Sequence, residues 1–527
     1  MTSSHDMFTI KARRLAAAMA ADPWGEVSPS VYETGRVVSL APDLPGHDTR
    51  VRFLLGAQHP GGWWGAPDGY GLVPTLSAVE ALLTCLITGS ARPPGAAEAA
   101  ARGLRALRRQ PNPLAGEPDT PARDLIVPAL TDAIDRHLAA VDGAPPLPYV
   151  DGTRLAWARA ALAAGHRPGK LAHVWEVMGG DAVGGPDGPG RLGHPPLHAL
   201  PGPLDGASAG ASPAASATRL TGHDADPVRR YLAGAAGRYD GAFPCATPVA
   251  VFVHSWTLSW LARAGADLAF PWTAGLLDSL TAQFGEAGTA AGPGLPPDAD
   301  TTAVVLDTLA RLGRPRPPES LWPYDLGTHF CTWPGEDGAS PTVNAHVLDA
   351  FGSYLRAEPD TPHRPRYLAA MRRITAWLRE RQRPDGAWDD RWHASPYYAT
   401  ACCALSLAES GDQASDQAGD QAREAIERAI GWVIRTQRDD GSWGRWDGTA
   451  EESAYALHVL TLATPPHDEA VSRGRRFLTM ARQREDQPAL WHDKDLYRPG
   501  SIVAAVTLAA LRRTGQNPIP LASSAQR

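Results

Sequence analysis

The chain has 527 residues, of which 43% are hydrophobic, and a formal net charge of −7. A chain of this length buries a large core, but its acidic balance provides no basic surface field, so we do not expect a nucleic-acid partner. The first residues lack the apolar core of a signal peptide, and no run approaches the roughly 20 apolar residues that span a bilayer, so the sequence predicts a cytoplasmic protein without a transmembrane segment.

Helical periodicity dominates the chain. Apolar residues recur at positions i, i+3, i+4 and i+7 in stretches at 75–89, 367–382, 398–410 and 501–515, a spacing that places them on one face of a helix. Alternating strand patterns are scarce, and Pro or Gly residues separate the helical stretches. The sequence therefore predicts an all-α protein of many short helices.

Two segments interrupt the helical pattern. Residues 179–217 are too rich in Gly and Pro to be helical for most of their length, so they form either a linker or a long ordered loop near a site. Residues 411–424 repeat the triplet DQA and predict a polar loop between helices.

A short unit with the pattern QxxxGxW occurs three times, at Gln58–Trp64, Gln382–Trp388 and Gln437–Trp443. The last two begin 437 − 382 = 55 residues apart, a period that suits one helical hairpin per repeat. Glycine permits a tight turn, and the glutamine amide can hydrogen-bond near the indole that follows. A Trp after such a turn could instead line a ligand site, but a unit that recurs at three places favours a structural role.

The stretch "GLPPDADTTAVVLDTL", residues 294–309, places Asp298 and Asp300 one residue apart at the start of an apolar run. A calcium loop of the EF-hand type is excluded, because Ala303 and Leu309 occupy the positions that require Gly and Glu. Metal binding and helix capping remain open alternatives. A third is acid catalysis: two close carboxyls cannot both ionise cheaply, so one retains a proton near neutral pH and can protonate a carbon–carbon double bond.

The QxxxGxW units, the all-α pattern and the D-x-D-T-T-A motif together resemble the class II terpene cyclases, the family of squalene–hopene cyclases and plant copalyl diphosphate synthases. Further similar segments follow in the family's order along almost the whole chain. They lie at 25–38 (GEVSPSVYETGRVV), 210–217 (GASPAASA), 340–351 (SPTVNAHVLDAF) and 490–506 (LWHDKDLYRPGSIVAAV).

This resemblance implies two α-barrel domains (α/α-toroids) in the βγ arrangement of terpene cyclases, one inserted in the other. We expect residues 1–21 and 236–527 to form the barrel that carries the acid motif, and residues 22–235 to form the inserted barrel. The active site would then lie between the two barrels.

The resemblance also implies roles for individual residues. Asp300 would be the general acid, Asp298 would orient it and tune its pKa, and Thr301 and Thr302 would either hydrogen-bond the carboxyls or cap the helix. Asn344 and His346 are candidates for hydrogen bonds to the acid or to a water. The candidates for substrate binding are the aromatic residues Trp256, Trp333, Tyr397, Tyr398 and Tyr497 and the cations Lys494 and Arg498. Mg²⁺ is the expected cofactor, as a bridge between the diphosphate and the protein, with Glu33 and Asp124 as candidate ligands.

One departure from the family pattern bears on the substrate. The usual D-x-D-D has Thr301 in its fourth position here, as in bacterial drimenyl diphosphate synthases. We therefore expect conversion of farnesyl diphosphate to drimenyl diphosphate with the diphosphate retained. The alternative is a copalyl-type product from geranylgeranyl diphosphate.

The start of the reaction also follows from the resemblance. The D-D-x-x-D motif of ionisation-type terpene synthases is absent from the sequence, so the reaction would start by protonation. A protein prenyltransferase-like or purely binding α-barrel is the rival interpretation, but it requires a zinc-ligand cluster that the sequence does not supply. A homo-oligomer is compatible with all of these readings.

Overall fold

The structure, a computed structural model, describes residues 4–90, 93–109, 118–139, 144–148, 150–166, 169–178, 207–220, 225–410, 416–481 and 487–515. It is mostly helical, with two short antiparallel strand pairs in the described residues. The predicted all-α fold is confirmed. No described helix combines the length and the apolarity that crossing a membrane requires.

The elements of the first half are the helices α1 (Ser4–Ala21), α2 (Val31–Leu40), α3 (His47–Gly56), α4 (Leu72–Thr88), α5 (Ala96–Arg108), α6 (Arg123–Ala139), α7 (Thr153–Ala163), a 3-10 helix (Gly169–Val174), α8 (Trp175–Met178), α9 (Pro213–Ala217) and α10 (Ala225–Gly237), with strands β1 (Pro29–Ser30) and β2 (Phe243–Pro244). Strand β1 pairs with β2.

The elements of the second half are α11 (Ala250–Arg263), α12 (Pro271–Ala282), α13 (Ala299–Arg311), a 3-10 helix (Pro318–Tyr324), α14 (Pro341–Ala357), α15 (Arg364–Glu380), α16 (Pro396–Ser410), α17 (Asp416–Arg435), α18 (Ala450–Leu460), α19 (Asp468–Ala481) and α20 (Gly500–Arg513), with strands β3 (Trp491–His492) and β4 (Leu496–Tyr497). Strands β3 and β4 form a hairpin.

Six helices of the second half close into a ring in which each packs on the next, in the order α11, α13, α14, α16, α18 and α20, with α20 returning to α11. Several of these helices, such as α14 and α18, are buried on nearly every side, as expected for the inner layer of a barrel. Helices α12, α15, α17 and α19 lie outside the ring. Helix α1 joins this barrel by packing on α20 and α12, through Phe8, Ala12, Ala16 and Met19 on one face.

The first half forms a second ring of helices, in the order α2, α4, α6, α8 and α9, with α9 returning to α2. Its apolar core includes residues between Tyr32 and Met178 and is separate from the core of the larger barrel. These rings are the two expected α-barrels. The domain boundaries at 21/22 and 235/236 stay a prediction.

The three QxxxGxW units make the same contacts in both barrels. The glutamine amide Nε2 donates to the carbonyl of the motif glycine at 2.8–3.0 Å and to a carbonyl of a neighbouring helix, Ala99, Ala425 or Ala470. Each indole Nε1 donates to a carbonyl of the preceding helix at 2.6–2.7 Å. The structural interpretation of the repeat is confirmed, because each unit joins consecutive helices of a barrel.

Two loop predictions have different outcomes. Most of the Gly- and Pro-rich segment, residues 179–206, lies outside the described residues, while 207–217 includes the short helix α9. The predicted polar loop at 411–424 is wrong in its second half, because α17 begins at Asp416 and forms the outer partner of α16. The repeated alanines and charged residues there favour a solvated helix surface.

Candidate active site

The acid motif lies at the start of α13. Asp298 is the N-cap of this helix, and its Oδ1 accepts the Thr301 backbone N–H at 2.6 Å, as Asp does at many helix starts. Its neighbour Ala299 donates its backbone N–H to the Thr332 carbonyl at 3.0 Å. The capping alternative is therefore correct for Asp298, and it fixes the direction in which Asp300 leaves the helix.

Asp298 is only 4% exposed, and burial raises its pKa to about 8. The Thr301 N–H opposes this rise, whereas the nearby Asp300 carboxylate adds to it. Burial and a like charge both disfavour the ionised carboxyl. Asp298 therefore retains its proton at neutral pH.

Asp300 has a charged partner in His346 of α14, whose Nδ1 lies 2.6 Å from Asp300 Oδ1. Burial lowers the pKa of His346, but the Asp300 carboxylate outweighs this effect and raises the pKa well above its ordinary value. When Asp300 is ionised, the imidazole is therefore protonated beside its carboxylate. A cation in this position stabilises the anion that remains after Asp300 has given up a proton.

Two other predicted catalytic residues hold the backbone around the motif. Thr302 Oγ1 accepts the Thr289 N–H at 3.0 Å and donates to the Thr289 carbonyl at 3.3 Å. Asn344 Oδ1 accepts from Phe330 N at 2.9 Å, and its Nδ2 donates to the carbonyls of Phe330 and Ser340 at 2.9 and 3.0 Å. Both amide hydrogens of Asn344 are used, so its amide nitrogen holds backbone, and a hydrogen bond of its oxygen with the acid or a water stays a prediction.

Aromatic side chains line one side of the acid pair. Trp256 lies 5.5 Å from the His346 ring, edge to face, and its Nε1 donates to the Tyr398 hydroxyl at 3.1 Å. Trp491 of β3 is 4.8 Å from Tyr398 between ring centres. The aromatic wall consists of Phe252, Trp256, Tyr398, Trp491 and Tyr497, each in ring contact with at least one other member.

The structure thus brings together the candidates Asp300, Trp256, Tyr398 and Tyr497, and their roles in catalysis and substrate binding stay predictions. Sequence reasoning did not select Phe252 or Trp491 for the wall. Trp491 occurs in the quoted segment LWHDKDLYRPG, so the signal was present. With 17 tryptophans in the chain, however, only the fold distinguishes this one from a packing residue.

Two other aromatic candidates lie elsewhere. The ring of Tyr397 is 4.5 Å from Trp432 of the outer helix α17. Tyr397 thus points away from the aromatic wall that contains Tyr398, because neighbouring residues of a helix point in directions about 100° apart. Its predicted role in substrate binding does not fit this position. Trp333 makes an edge contact with Trp392 at 5.5 Å, and Lys170 Nζ lies 5.5 Å from the centre of its ring. Trp333 directly follows Thr332, so this group is next to the acid motif.

Lys494 does not have the exposure that binding a diphosphate requires. It is 1% exposed, and its ammonium forms ion pairs with Glu33 and Glu176. Nζ also donates to Ser212 Oγ at 2.8 Å and to the His173 carbonyl at 2.7 Å. The predicted role of Lys494 as a diphosphate donor is wrong, because protein acceptors already surround the charge.

Arg498 lines a surface hollow of about 440 Å³ together with Asp22, Glu26 and Arg238. Asp22 forms an ion pair with Arg238 at 2.6 Å across this hollow. Two carboxylates in the lining make the hollow a poor site for a diphosphate anion. The predicted role of Arg498 in binding substrate does not fit this position.

Glu33 does not fit a metal site. Its carboxylate accepts from Lys494 Nζ, from Ser212 Oγ at 3.1 Å and from Ala214 N at 2.7 Å. Asp124 forms ion pairs with two arginines instead, at 3.6 and 3.7 Å. Within the described ranges, no group of three or more His, Cys, Asp and Glu side chains could hold a metal ion.

Known proteins resemble this chain along nearly its whole length. Residues 336–502 match the family model of the squalene–hopene cyclase C-terminal domain. An ent-copalyl diphosphate synthase of Streptomyces sp. (strain KO-3988) is 40% identical over 523 residues, 95% of each chain. A labda-7,13-dienyl diphosphate synthase of Streptomyces clavuligerus is 41% identical over 534 residues, 95% of this chain and 92% of its own.

A solved structure agrees with these relatives. The ent-copalyl diphosphate synthase from Streptomyces platensis superimposes with a TM-score of 0.86 at 42% identity, covering 97% of this chain and 100% of that one. The prediction of farnesyl diphosphate as substrate and drimenyl diphosphate as product is therefore wrong, because these relatives are named for copalyl and labdadienyl diphosphates. Thr301 in the fourth motif position does not indicate a C15 substrate. By its length of match, its identity to these enzymes and its two α-barrels, the chain belongs to the class II terpene cyclases.

Proposed function

We propose that this chain is a diterpene cyclase that converts geranylgeranyl diphosphate into a copalyl- or labdane-type diphosphate, with the diphosphate retained. The observation that carries the proposal is the buried Asp298–Asp300 motif, with its His346 partner, beside the aromatic wall. The C20 chain length is supported by the two relatives described above, whose named products are both bicyclic C20 diphosphates.

The first step is a proton transfer from Asp300 to the terminal double bond of the substrate, and it starts from the form in which the Asp300 carboxyl is protonated and His346 is neutral. The O–H bond breaks, its electron pair stays on the carboxylate, and the proton forms a new C–H bond as the alkene becomes a carbocation. His346 Nδ1, which lies 2.6 Å from Asp300 Oδ1, stabilises the carboxylate that remains. Asp298, neutral because burial raises its pKa to about 8, adds no opposing charge.

Ring closure then moves the positive charge along the substrate. The faces of Trp256, Tyr398 and Trp491 offer π-electrons to this charge, and each such contact contributes roughly 0.5–2 kcal/mol. Loss of a proton from a carbon next to the second ring ends the reaction as a neutral bicyclic diphosphate. The substrate therefore gains one proton from Asp300 and loses one proton at the end, so its composition does not change.

Two cations near the motif are the best candidates to hold the diphosphate in place of Lys494 and Arg498. Lys170 is exposed and lies over Trp333, and Arg391 lies over Trp392, 5.5 Å from its ring centre. Arg391 also forms ion pairs with Asp119 at 3.0 Å and with Glu336 at 3.4 Å, so a bound diphosphate would have to displace these carboxylates. We assign the diphosphate to this group because charge-assisted hydrogen bonds from Lys and Arg are strong.

A magnesium requirement and a cytoplasmic location are further parts of the proposal. Since the described residues offer no ligand cluster, we expect Mg²⁺ to associate with the diphosphate oxygens of the substrate. Activity in EDTA, compared with activity in millimolar magnesium, measures this dependence.

The test is incubation of the purified chain with geranylgeranyl or farnesyl diphosphate, followed by phosphatase treatment and mass spectrometry. We expect a bicyclic C20 alcohol after phosphatase and no hydrocarbon before it. An Asp300→Asn variant serves as the matched control. A product that has lost its diphosphate without phosphatase, or exclusive turnover of the C15 substrate, would contradict the proposal.

A further inference from the structure

The β3–β4 hairpin connects the two barrels through three consecutive charged residues at its tip. Asp493 Oδ1 lies 2.8 Å from His173 Nε2. Lys494 forms ion pairs with Glu33 and Glu176, and all three side chains are fully buried. We call the set Glu33, His173, Glu176, Asp493, Lys494 and Asp495 the hairpin anchor.

Asp495 completes the anchor by binding backbone. Its Oδ2 accepts the N–H groups of Val31 and Tyr32 at 3.0 and 3.3 Å, at the start of α2. The same oxygen accepts the Ser30 hydroxyl at 3.3 Å. A carboxylate at a helix N-terminus satisfies free N–H groups, so the hairpin tip is joined directly to the first helix of the smaller barrel.

The strands of this hairpin carry part of the aromatic wall. Trp491 lies 5.4 Å from Phe252 and 4.8 Å from Tyr398, and its Nε1 donates to Glu451 at 2.7 Å. Tyr497 lies 6.3 Å from Phe252. The seven-residue hairpin 491–497 thus contributes to both groups. Its tip contacts the smaller barrel through the hairpin anchor, and its two strands contact the larger barrel through the aromatic wall.

A purely stabilising role explains this arrangement poorly. Removing ionised groups from water is costly, and buried ion pairs are often no more stabilising than apolar residues of the same size. Burial is costly enough here to raise the pKa of Glu33 to about 7 although Lys494 lowers it. The best-attested use of buried ionic groups is to fix the register of packed elements. In this hairpin, they would fix the positions of Trp491 and Tyr497.

We propose that the hairpin anchor, with Lys494 at its centre, is a positioning and specificity-determining site that sets how Trp491 and Tyr497 lie against the cyclising substrate. The smaller barrel thereby takes part in the reaction without contacting the reacting carbons. This inference rests on the proposed function for its product readout, but the placement of the hairpin is measured separately.

The single change Lys494→Met would leave the carboxylates of Glu33 and Glu176 unpaired in a buried site, so it tests folding more than positioning. The informative variant is K494M/E33Q/E176Q, which removes the charges and keeps similar side-chain sizes. The matched control is R36M/E80Q, which neutralises another buried ion pair that starts from α2 but contacts no member of the wall.

We expect K494M/E33Q/E176Q to fold, to exchange backbone hydrogen faster in segment 491–497, and to lose about 10–100-fold in kcat/KM, because small misplacements of a site carry that cost. We also expect new monocyclic or differently deprotonated products. R36M/E80Q should keep the wild-type product ratio and the wild-type exchange of 491–497.

An unchanged product ratio and unchanged exchange in a folded K494M/E33Q/E176Q would overturn the inference, as would an equal change of products in R36M/E80Q. If the triple variant does not fold, Asp493→Asn, which keeps a hydrogen-bond acceptor for His173, must show the same changes about 3- to 10-fold smaller, and their absence overturns the inference as well. The exchange measurement needs no substrate. A wild-type chain inactive on geranylgeranyl diphosphate would therefore refute the proposed function and leave the result on the anchor intact.

Discussion

The acid site at the start of α13 and the cluster around Lys494 both hold carboxylates away from water, yet their oxygens are satisfied differently. Among the described residues, Asp300 has one charged partner, His346 at 2.6 Å, and it lies near the aromatic wall. Glu33 accepts from an ammonium, a hydroxyl and a backbone N–H. A carboxyl with one partner can pass a proton to a substrate, whereas one enclosed by three donors holds its neighbours in place.

The largest expected effect is a loss of activity when the proposed acid is replaced, which tests the catalytic role of the acid site. Asp300→Asn keeps a hydrogen-bond acceptor for His346 but has no proton acidic enough to give, so kcat should fall by about 10²–10⁴-fold, the usual contribution of a general acid. The free energy of unfolding should fall by less than in Lys494→Met, because His346 can lose its proton when its anionic partner is removed. Steady-state kinetics and denaturant melts measure the two quantities, and an active variant refutes the assignment.

The opposite pattern is expected on the structural side. Lys494→Met strands two buried carboxylates, and breaking a buried ion pair from one side costs about 3–5 kcal/mol. Denaturant unfolding of this variant should show that loss. If its stability equals that of the wild type, the buried cluster does not contribute as its contacts indicate.

A third prediction concerns Lys170, which we propose binds the diphosphate, in contrast to the buried Lys494. Lys170 is exposed and free to meet the substrate, so Lys170→Ala should raise KM by about tenfold, equivalent to about 1.4 kcal/mol, the order of one lost charge-assisted hydrogen bond. The melting temperature and kcat should change little. A KM equal to that of the wild type would remove Lys170 from the proposed diphosphate site.

The smallest effect concerns pH. Because the pKa of Asp298 is raised to about 8, this carboxyl is neutral below that pH and becomes charged above it. The new charge destabilises the Asp300 carboxylate formed during proton transfer, so kcat should fall a few-fold as pH rises through about 8. Asp298→Asn keeps an efficient helix cap and should lack this fall. The same alkaline decline in the variant would show that another group is responsible.

Sequence reasoning succeeded where the placement of a residue depends on local structure. The QxxxGxW contacts depend on a turn and two adjacent helices, and Asp298 and Asp300 depend on one helix start. It failed for Tyr397 and Lys494, because their roles depend on which way a side chain faces in the tertiary structure. Trp491 and Lys494 are three residues apart, yet Trp491 belongs to the aromatic wall, whereas Lys494 forms ion pairs with residues of the smaller barrel.

The substrate prediction failed for a related reason. Thr301 in the fourth motif position predicts a C15 substrate, but its backbone N–H serves the Asp298 cap, a contact that any residue other than proline can make. The length of the substrate is therefore not encoded in this one motif position. Relatives along the full length carried that information instead.

The packing of α1 on α20 has a consequence for the folding of the protein during its synthesis. During synthesis, the apolar face formed by Phe8, Ala12, Ala16 and Met19 is made before all the other helices described, but its partner at Gly500–Arg513 is made after them. The larger barrel cannot close until α20 has been made, and by then the smaller one already has its helices α2 to α9. Fusions or tags that hinder the first helix should therefore impair the assembly of the last one.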